Sequence, residues 1–244
     1  MEIEILQLID GAKKAHGLTV VIDVFRAMTV EAFLMNRGVK KLLPVGDVQI
    51  AWDYKAKHPD ALLCGERGGA IIEGFDFGNS PSAVENLDFT GKTVVHTTSA
   101  GTQGIANASG ADEILGGSLA TAKAIACYIK KKAPDHVSLV CMGLAGETET
   151  DEDTLCAEYI KSLLEGNPLA DLEARVANLK RTDGAKFFDP AQQNVFPQRD
   201  FELSTMVDTC PFVLRLTKDT ETGLDCMERV DIPEAISAAA PLLD

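Results

Sequence analysis

Residues 19–29, TVVIDVFRAMT, carry the reading that decides the fold. Thr19 to Ile22 is a short apolar run that suits a buried β-strand, and Asp23 and Arg26 then interrupt it before good helix formers take over from Ala27 to Met35. Gly38 follows as a helix stop. In an open α/β sheet, ligands gather at the carboxyl ends of the strands, so an acid and a base three residues apart at such an end are candidates for chemistry. The same pattern also fits a strand and a capped helix joined by an ordinary ion pair.

Working outward, the spacing predicts strands at Ile3–Leu8, Val39–Val45, Ala61–Cys64, Thr93–His96, Glu113–Leu115 and Val137–Cys141. Helices are expected at Val48–Ala56, at Gln103–Ala108, from Leu119 with Ser118 as cap, and at Asp151–Leu164 with Thr150 as cap. This alternation of strands and helices is that of an α/β protein. Gly65 to Pro81, with five glycines and four charged residues, is a long loop whose Ile71, Ile72, Phe75 and Phe77 argue for order and hence for binding. Beyond Gly166 the periodicity weakens. Leu169–Lys180 reads as helix, Thr182–Arg199 as a polar segment crossing the surface, Phe201–Val207 as helix and Pro211–Leu216 as an apolar run. TVVIDVFRAMT and TVVHTTSAGT echo one another, too briefly to establish duplication.

The 244 residues are 45% hydrophobic, enough for a substantial core. With 37 acidic and 23 basic residues the formal charge is -14, which disfavours nucleic acid or an anionic membrane as partner. Any anionic ligand must therefore meet a local cation. No stretch is long and apolar enough for a membrane span, and the opening MEIEILQLID lacks a signal peptide's basic region, so a soluble cytoplasmic protein is expected. The six scattered cysteines form no CxxC pair and no zinc spacing, and free thiols in a reducing compartment fit them best. A homo-oligomer is compatible with the sequence.

Four constellations could carry chemistry. Thr97, Thr98, Ser99 and Thr102, set among Ala100 and Gly101, lie between a strand and a helix where N–H groups and hydroxyls can cradle an anion; a hydroxyl-capped helix explains them equally. At another strand end, Glu66 suits Mg²⁺, a hard cation, and Arg67 suits a phosphate, sulfonate or carboxylate, unless both are solvated loop charges. Asp151, Glu152 and Asp153 open a helix whose dipole favours acids, and the same geometry presents Glu152 and Asp153 to a crevice. His96 ends a buried strand and reads as a general acid or a satisfied core histidine. His16, His58 and His136 fall in turns and take no role, and Cys64 reads as a small buried residue.

Taken together, VIDVFRAMT, CGERGG, EGFDFGNSP, GKTVVHTTSAGT, and CMGLAG followed by EDTLCAEYI resemble the 2-phosphosulfolactate phosphatase family of coenzyme M biosynthesis, in order, from about residue 19 to 165. The resemblance implies a three-layer α/β/α domain with a mostly parallel sheet spanning 1–244, with a subdivision near 165–200 as the alternative. It implies a Mg²⁺-dependent hydrolase acting on a small anionic phosphorylated substrate, 2-phospho-3-sulfolactate. Carried over by motif, Asp23, Arg26, Glu66, Arg67, Asn79, Ser80, Thr97, Thr98, Gly101, Thr102, Glu152 and Asp153 become site candidates. Asp23, Glu66 and Asp153 are the expected metal ligands, Arg26 and Arg67 the anion clamps, and Glu152 or Asp153 the water-orienting base. The sequence departs from the family's usual pattern at Ala100, where Asn is common, and at Met28, where Thr is frequent. A phosphatase for another small phosphorylated acid and a non-catalytic anion-binding protein are the alternatives.

Overall fold

A computed structural model describes residues 1–236. Ten strands form one sheet in the order β1-β8-β2-β7-β9-β10-β3-β6-β4-β5. On one side, β1 (Glu2–Gln7), β8 (His136–Cys141), β2 (Gly17–Ile22) and β7 (Ala111–Gly117) run parallel. On the other, β3 (Lys41–Pro44), β6 (Thr93–Thr97) and β4 (Leu62–Arg67) run parallel, and the short β5 (Ala70–Ile71) folds back on β4. The hairpin of β9 (Phe212–Lys218) and β10 (Asp225–Asp231) joins the two blocks, pairing antiparallel with β7 on one side and with β3 on the other.

Three antiparallel junctions in succession give the two blocks opposite sense. The strand ends therefore do not all open on one rim, as those of a doubly wound sheet would. The sequence echo falls on β2 and β6, each the central strand of a parallel trio and each followed by a helix that crosses to the other block.

Alternate side chains of the strands feed two faces, as the pleat requires. Val21, Leu42, Cys64, Val94, Val140 and Leu214 pack on one face beneath α1 (Leu8–Lys14), α2 (Ala27–Asn36) and α5 (Gly101–Asn107). On the other, Val20, Ile22, Leu139 and Val213 meet α6 (Ala122–Lys132) and α7 (Asp151–Leu164), while Leu43, Leu63 and Val95 meet α3 (Val48–Lys57). This is the three-layer α/β/α arrangement. Nine of the ten residues of α2 are buried, so it is apolar nearly all round and lies in the interior rather than on the surface.

The boundaries of most expected elements follow the sequence within a few residues, and α7 matches its expected limits, whereas α1 forms where no helix is expected. Two caps differ in outcome. Ser118 forms the expected cap, a reciprocal box with Thr121, whereas Thr150 makes no side-chain cap. The strand expected to stop at Cys64 continues to Arg67, because Glu66 and Arg67 pair with Ile71 and Ala70. The last third departs most. After α8 (Leu172–Asn178), residues 182–197 do not simply cross the surface: 3₁₀ turns bury Phe187 fully, and it packs with Leu155, Leu179, Phe201 and Phe25 in a small aromatic core. A short α4 (Pro81–Val84) and α9 (Gln198–Ser204) complete that region.

Candidate active site

The loops leaving β2, β4, β6 and β8 converge beneath the 183–196 segment and enclose a cavity of about 440 Å³. Asp23, Phe25 and Arg26 form one wall, Glu66, Gly68 and Gly69 a second, and Ser99 and Ala100 a third; Asn79, the 143–145 loop, Lys186 and Phe196 complete it. The exits of β2 and β6 are in contact although their blocks run in opposite senses. A Cβ added to Gly101 would lie 2.7 Å from Ala27 Cβ and 2.9 Å from Asp23 Oδ2, so only glycine permits this approach.

Asp23 is buried, and its Oδ1 accepts the Ala27 N–H at 2.9 Å. Desolvation raises its pKa to about 6 against the Ala27 hydrogen bond, and the Glu66 charge adds to the rise. Glu66 ties two loops together: Oε2 accepts from Gly69 N–H at 2.6 Å and from the Ser99 hydroxyl at 3.2 Å, and Oε1 accepts from Ser99 N–H at 2.6 Å.

Asp153 does not line the cavity. Its Oδ1 accepts from Val24 N–H and its Oδ2 from Gly143 N–H, each at 2.8 Å, so it clamps the β2 exit to the β8 exit. Burial, then the charges of Glu152 and Asp23, hold its pKa well above the ordinary carboxylate range. Glu152 is likewise buried behind the wall, and burial raises its pKa to about 7, opposed by hydrogen bonding to its own backbone amide and by the Lys186 charge. Its Oε2 has no hydrogen-bond partner among the described residues.

The cations are arranged otherwise than their sequence positions suggest. Arg26 is buried in an ion pair with the fully buried Asp200, Nη1 to Oδ2 at 2.7 Å. It also donates to the carbonyls of Val195 at 2.8 Å and Gly69 at 3.1 Å, and lies over the Phe196 ring. Arg67 is exposed and outside the cavity lining, donating to Glu66 O at 2.7 Å and to Thr97 Oγ1 at 3.0 Å. Both arginines thus staple loops together.

Of the hydroxyl cluster, Thr98 and Thr102 satisfy one another: Thr98 N–H donates to Thr102 Oγ1 at 2.9 Å and Thr102 N–H to Thr98 Oγ1 at 3.2 Å. Ser99 faces the cavity, whereas Thr97 accepts from Arg67. Ser80 donates to Asp200 at 2.8 Å, beside Ser82 at 2.6 Å. Met28 is fully buried beside Gly116 and faces the core, while Ala100 lines the cavity; of the two departures from the family pattern, Ala100 alone among the pair alters the space a ligand meets.

Sequence reasoning missed Lys186, Phe196 and Asp200. Lys186 lines the cavity, 5.3 Å from the Phe196 ring centroid, and makes no ion pair or hydrogen bond among the described residues. The available signal was the aromatic pair Phe187–Phe188 next to it, which is unusual for an exposed polar segment.

The donor set suits a hard divalent cation in part. Asp23 and Glu66 present oxygen ligands to the cavity, and the desolvation and mutual repulsion that raise Asp23 are costs a divalent cation would relieve. With Asp153 the two do not form a compact three-ligand cluster. Among the described residues, the group whose ligand atoms all lie within 4.8 Å of one another is Glu4, His16 and His136, beside β1 and the start of β8.

Residues 3–216 match the sequence profile of 2-phosphosulpholactate phosphatase. The chain is 31% identical over 215 residues to the probable 2-phosphosulfolactate phosphatase of Bacillus subtilis (strain 168), covering 88% of this chain and 92% of that one. It is 43% identical over 148 residues to the protein of the same description from Caldicellulosiruptor saccharolyticus, covering 59% and 61% of the two chains. For the one from Carboxydothermus hydrogenoformans the figures are 38% over 166 residues, 67% and 68%. The aligned span contains every strand and loop that walls the cavity, and the chain belongs to the 2-phosphosulpholactate phosphatase family.

Proposed function

We propose that the chain hydrolyses the phosphate monoester of 2-phospho-3-sulfolactate, giving 3-sulfolactate and phosphate. One observation carries the assignment to this cavity: two buried carboxylates, Asp23 and Glu66, line it together with Lys186, a cation with no ion-pair partner among the described residues. A substrate bearing phosphate, carboxylate and sulfonate needs local positive charge inside a protein of net charge -14. Lys186 supplies it where Arg26, already neutralised by Asp200, does not.

Asp23 and Glu66 would hold Mg²⁺, an ion that commonly takes one or two carboxylates together with substrate oxygens and water. When bound, it would neutralise charge developing on the phosphoryl group. The chain's own residues do the rest. Asp153 fixes the backbone on either side of Asp23, the Glu66 bonds to Gly69 and Ser99 hold two loops at a set separation, and Phe196 and Phe25 limit water around the bound anion. The six free cysteines support a reducing, cytoplasmic setting.

A panel of phosphate monoesters with Mg²⁺ tests the proposal by phosphate release. Phosphosulfolactate should turn over at least about tenfold faster, in kcat/KM, than monoesters lacking the sulfonate, a difference of ~1.4 kcal/mol. Equal turnover would favour another small phosphorylated acid, a reading to which the space at Ala100 lends support. Tight binding without phosphate release would favour a non-catalytic anion binder.

A further inference from the structure

A chain of three buried polar side chains runs from the middle of α2 to the cavity. Glu31 and His96 are fully buried, and Asn79 is 5% exposed and lines the cavity. Glu31 Oε1 lies 2.8 Å from His96 Nδ1, and His96 Nε2 lies 3.3 Å from Asn79 Oδ1. Burying a carboxylate inside a helix that is otherwise apolar is costly, and Glu31 Oε2 has no hydrogen-bond partner among the described residues. Such a group persists only where the surrounding arrangement repays it.

We infer that Glu31 and His96 are positioning residues for substrate binding: they orient the Asn79 amide so that its NH₂ group points into the cavity and donates to an anionic oxygen of the substrate. His96 Nδ1 faces the Glu31 carboxyl and Nε2 faces the Asn79 amide oxygen, so a proton on Nε2 is donated to Asn79 Oδ1 while Glu31 holds the other side of the ring. Donation to Oδ1 selects one of the two flips of the Asn79 amide and leaves Nδ2 directed at the cavity with no protein partner among the described residues. Glu31 in turn fixes the ring. His96 itself is fully buried and does not line the cavity. Of the two readings of His96, general acid or satisfied core histidine, its full burial and its two side-chain partners agree with the second.

The inference rests on the phosphatase reading of the cavity and is tested by steady-state kinetics on Asn79→Ala, on the pair Glu31→Gln/His96→Gln, and on the triple variant. A donor used equally in ground and transition states changes KM and spares kcat. Asn79→Ala should raise KM about tenfold with kcat within about twofold, the paired substitution should shift KM the same way, and the triple variant should be no worse than Asn79→Ala, because all three act through one amide. Full additivity of the paired substitution with Asn79→Ala overturns the inference. So does a wild-type KM in the paired variant.

Where the paired variant does not fold, the wild-type protein gives the answer. Titration with inorganic phosphate should shift the Asn79 side-chain NH₂ resonance, assigned by its loss in Asn79→Ala, and an unshifted resonance at phosphate saturation overturns the inference. A wild type that neither hydrolyses phosphosulfolactate nor binds phosphate brings down the phosphatase reading and this inference with it. A wild type that does both, with unaffected variants, overturns the inference alone.

Discussion

Arg26 Nη1 lies 2.7 Å from Asp200 Oδ2, with Arg26 3% exposed and Asp200 fully buried, across 174 positions of chain. This pair pins the β2 exit to the C-terminal segment that roofs the cavity, and Ser80 and Ser82 bond the same carboxylate. Removing one partner leaves a buried charge uncompensated. Asp200→Asn should therefore cost about 3–5 kcal/mol of unfolding free energy in urea denaturation, with loss of activity from a loosened roof. A stability within about 0.5 kcal/mol of wild type would show that the pair is not what holds the roof.

Lys186 is half-buried and makes no ion pair among the described residues, so its removal should cost little stability. Its effect should fall on binding of substrates with a second anionic group. Lys186→Gln should raise KM for phosphosulfolactate by about tenfold or more, while KM for a monoester with no second anion stays within about twofold. Equal effects on both substrates would mean that Lys186 senses the phosphate itself.

Burial raises Asp23 to about 6 and Glu152 to about 7, so for both carboxylates the folded state binds protons more tightly than the unfolded chain does. Their contribution to stability is greatest below the unfolded values near 4 and is lost as pH rises through 6 to 7. For Asp23 the penalty above pH 6 is on the order of 3 kcal/mol. Without divalent cation, the protein should melt at a higher temperature at pH 5.5 than at pH 7.5. Asp23→Asn should narrow that difference, and Mg²⁺ should raise the melting temperature at pH 7.5 in wild type more than in Asp23→Asn. An identical Mg²⁺ response in the two proteins would take Asp23 out of the metal site.

Gly101→Ala places a methyl 2.7 Å from Ala27 Cβ and 2.9 Å from Asp23 Oδ2. Overpacking of this kind costs about 1–3 kcal/mol, and here part of the displacement falls on a cavity carboxylate. Stability should drop within that range while kcat/KM falls at least about tenfold. Gly91→Ala is the control: it has φ +76° and nothing within 4 Å of an added Cβ, so it should show backbone strain without the loss of activity.

Much of the site was legible because strand ends announce themselves locally. Asp23 after TVVI and Glu66 after LLCG each follow an apolar run that stops abruptly, and both face the cavity. Ser99 and Asn79 came with the same loops. The hydroxyls of Thr98 and Thr102 were visible as residues, but the partners that absorb them were not, since a threonine four positions away reads equally as a ligand or a cap. Lys186 lies in a stretch of 3₁₀ turns, where the three-residue repeat is broken too often to leave a period that marks one face as buried, and Asp200 sits in the first turn of a seven-residue helix, where an acid reads equally as a dipole-favoured surface charge.

The amino-acid sequence by itself determined the alternation of strands and helices and the polar residues at the strand exits, because these depend on apolar periodicity within about ten to fifteen residues. Its motif order also carries the family. Only the tertiary structure decided that the two parallel blocks run in opposite senses, that Arg26 is spent on Asp200 while Lys186 is left to face the cavity, and that Asp153 holds backbone rather than lining the wall. The physical reason is common to all three. Strand pairing, ion pairing and desolvation depend on neighbours brought together from distant parts of the chain, and those neighbours exist only once β9 and β10 have joined the two blocks and residues 183–196 have closed over them.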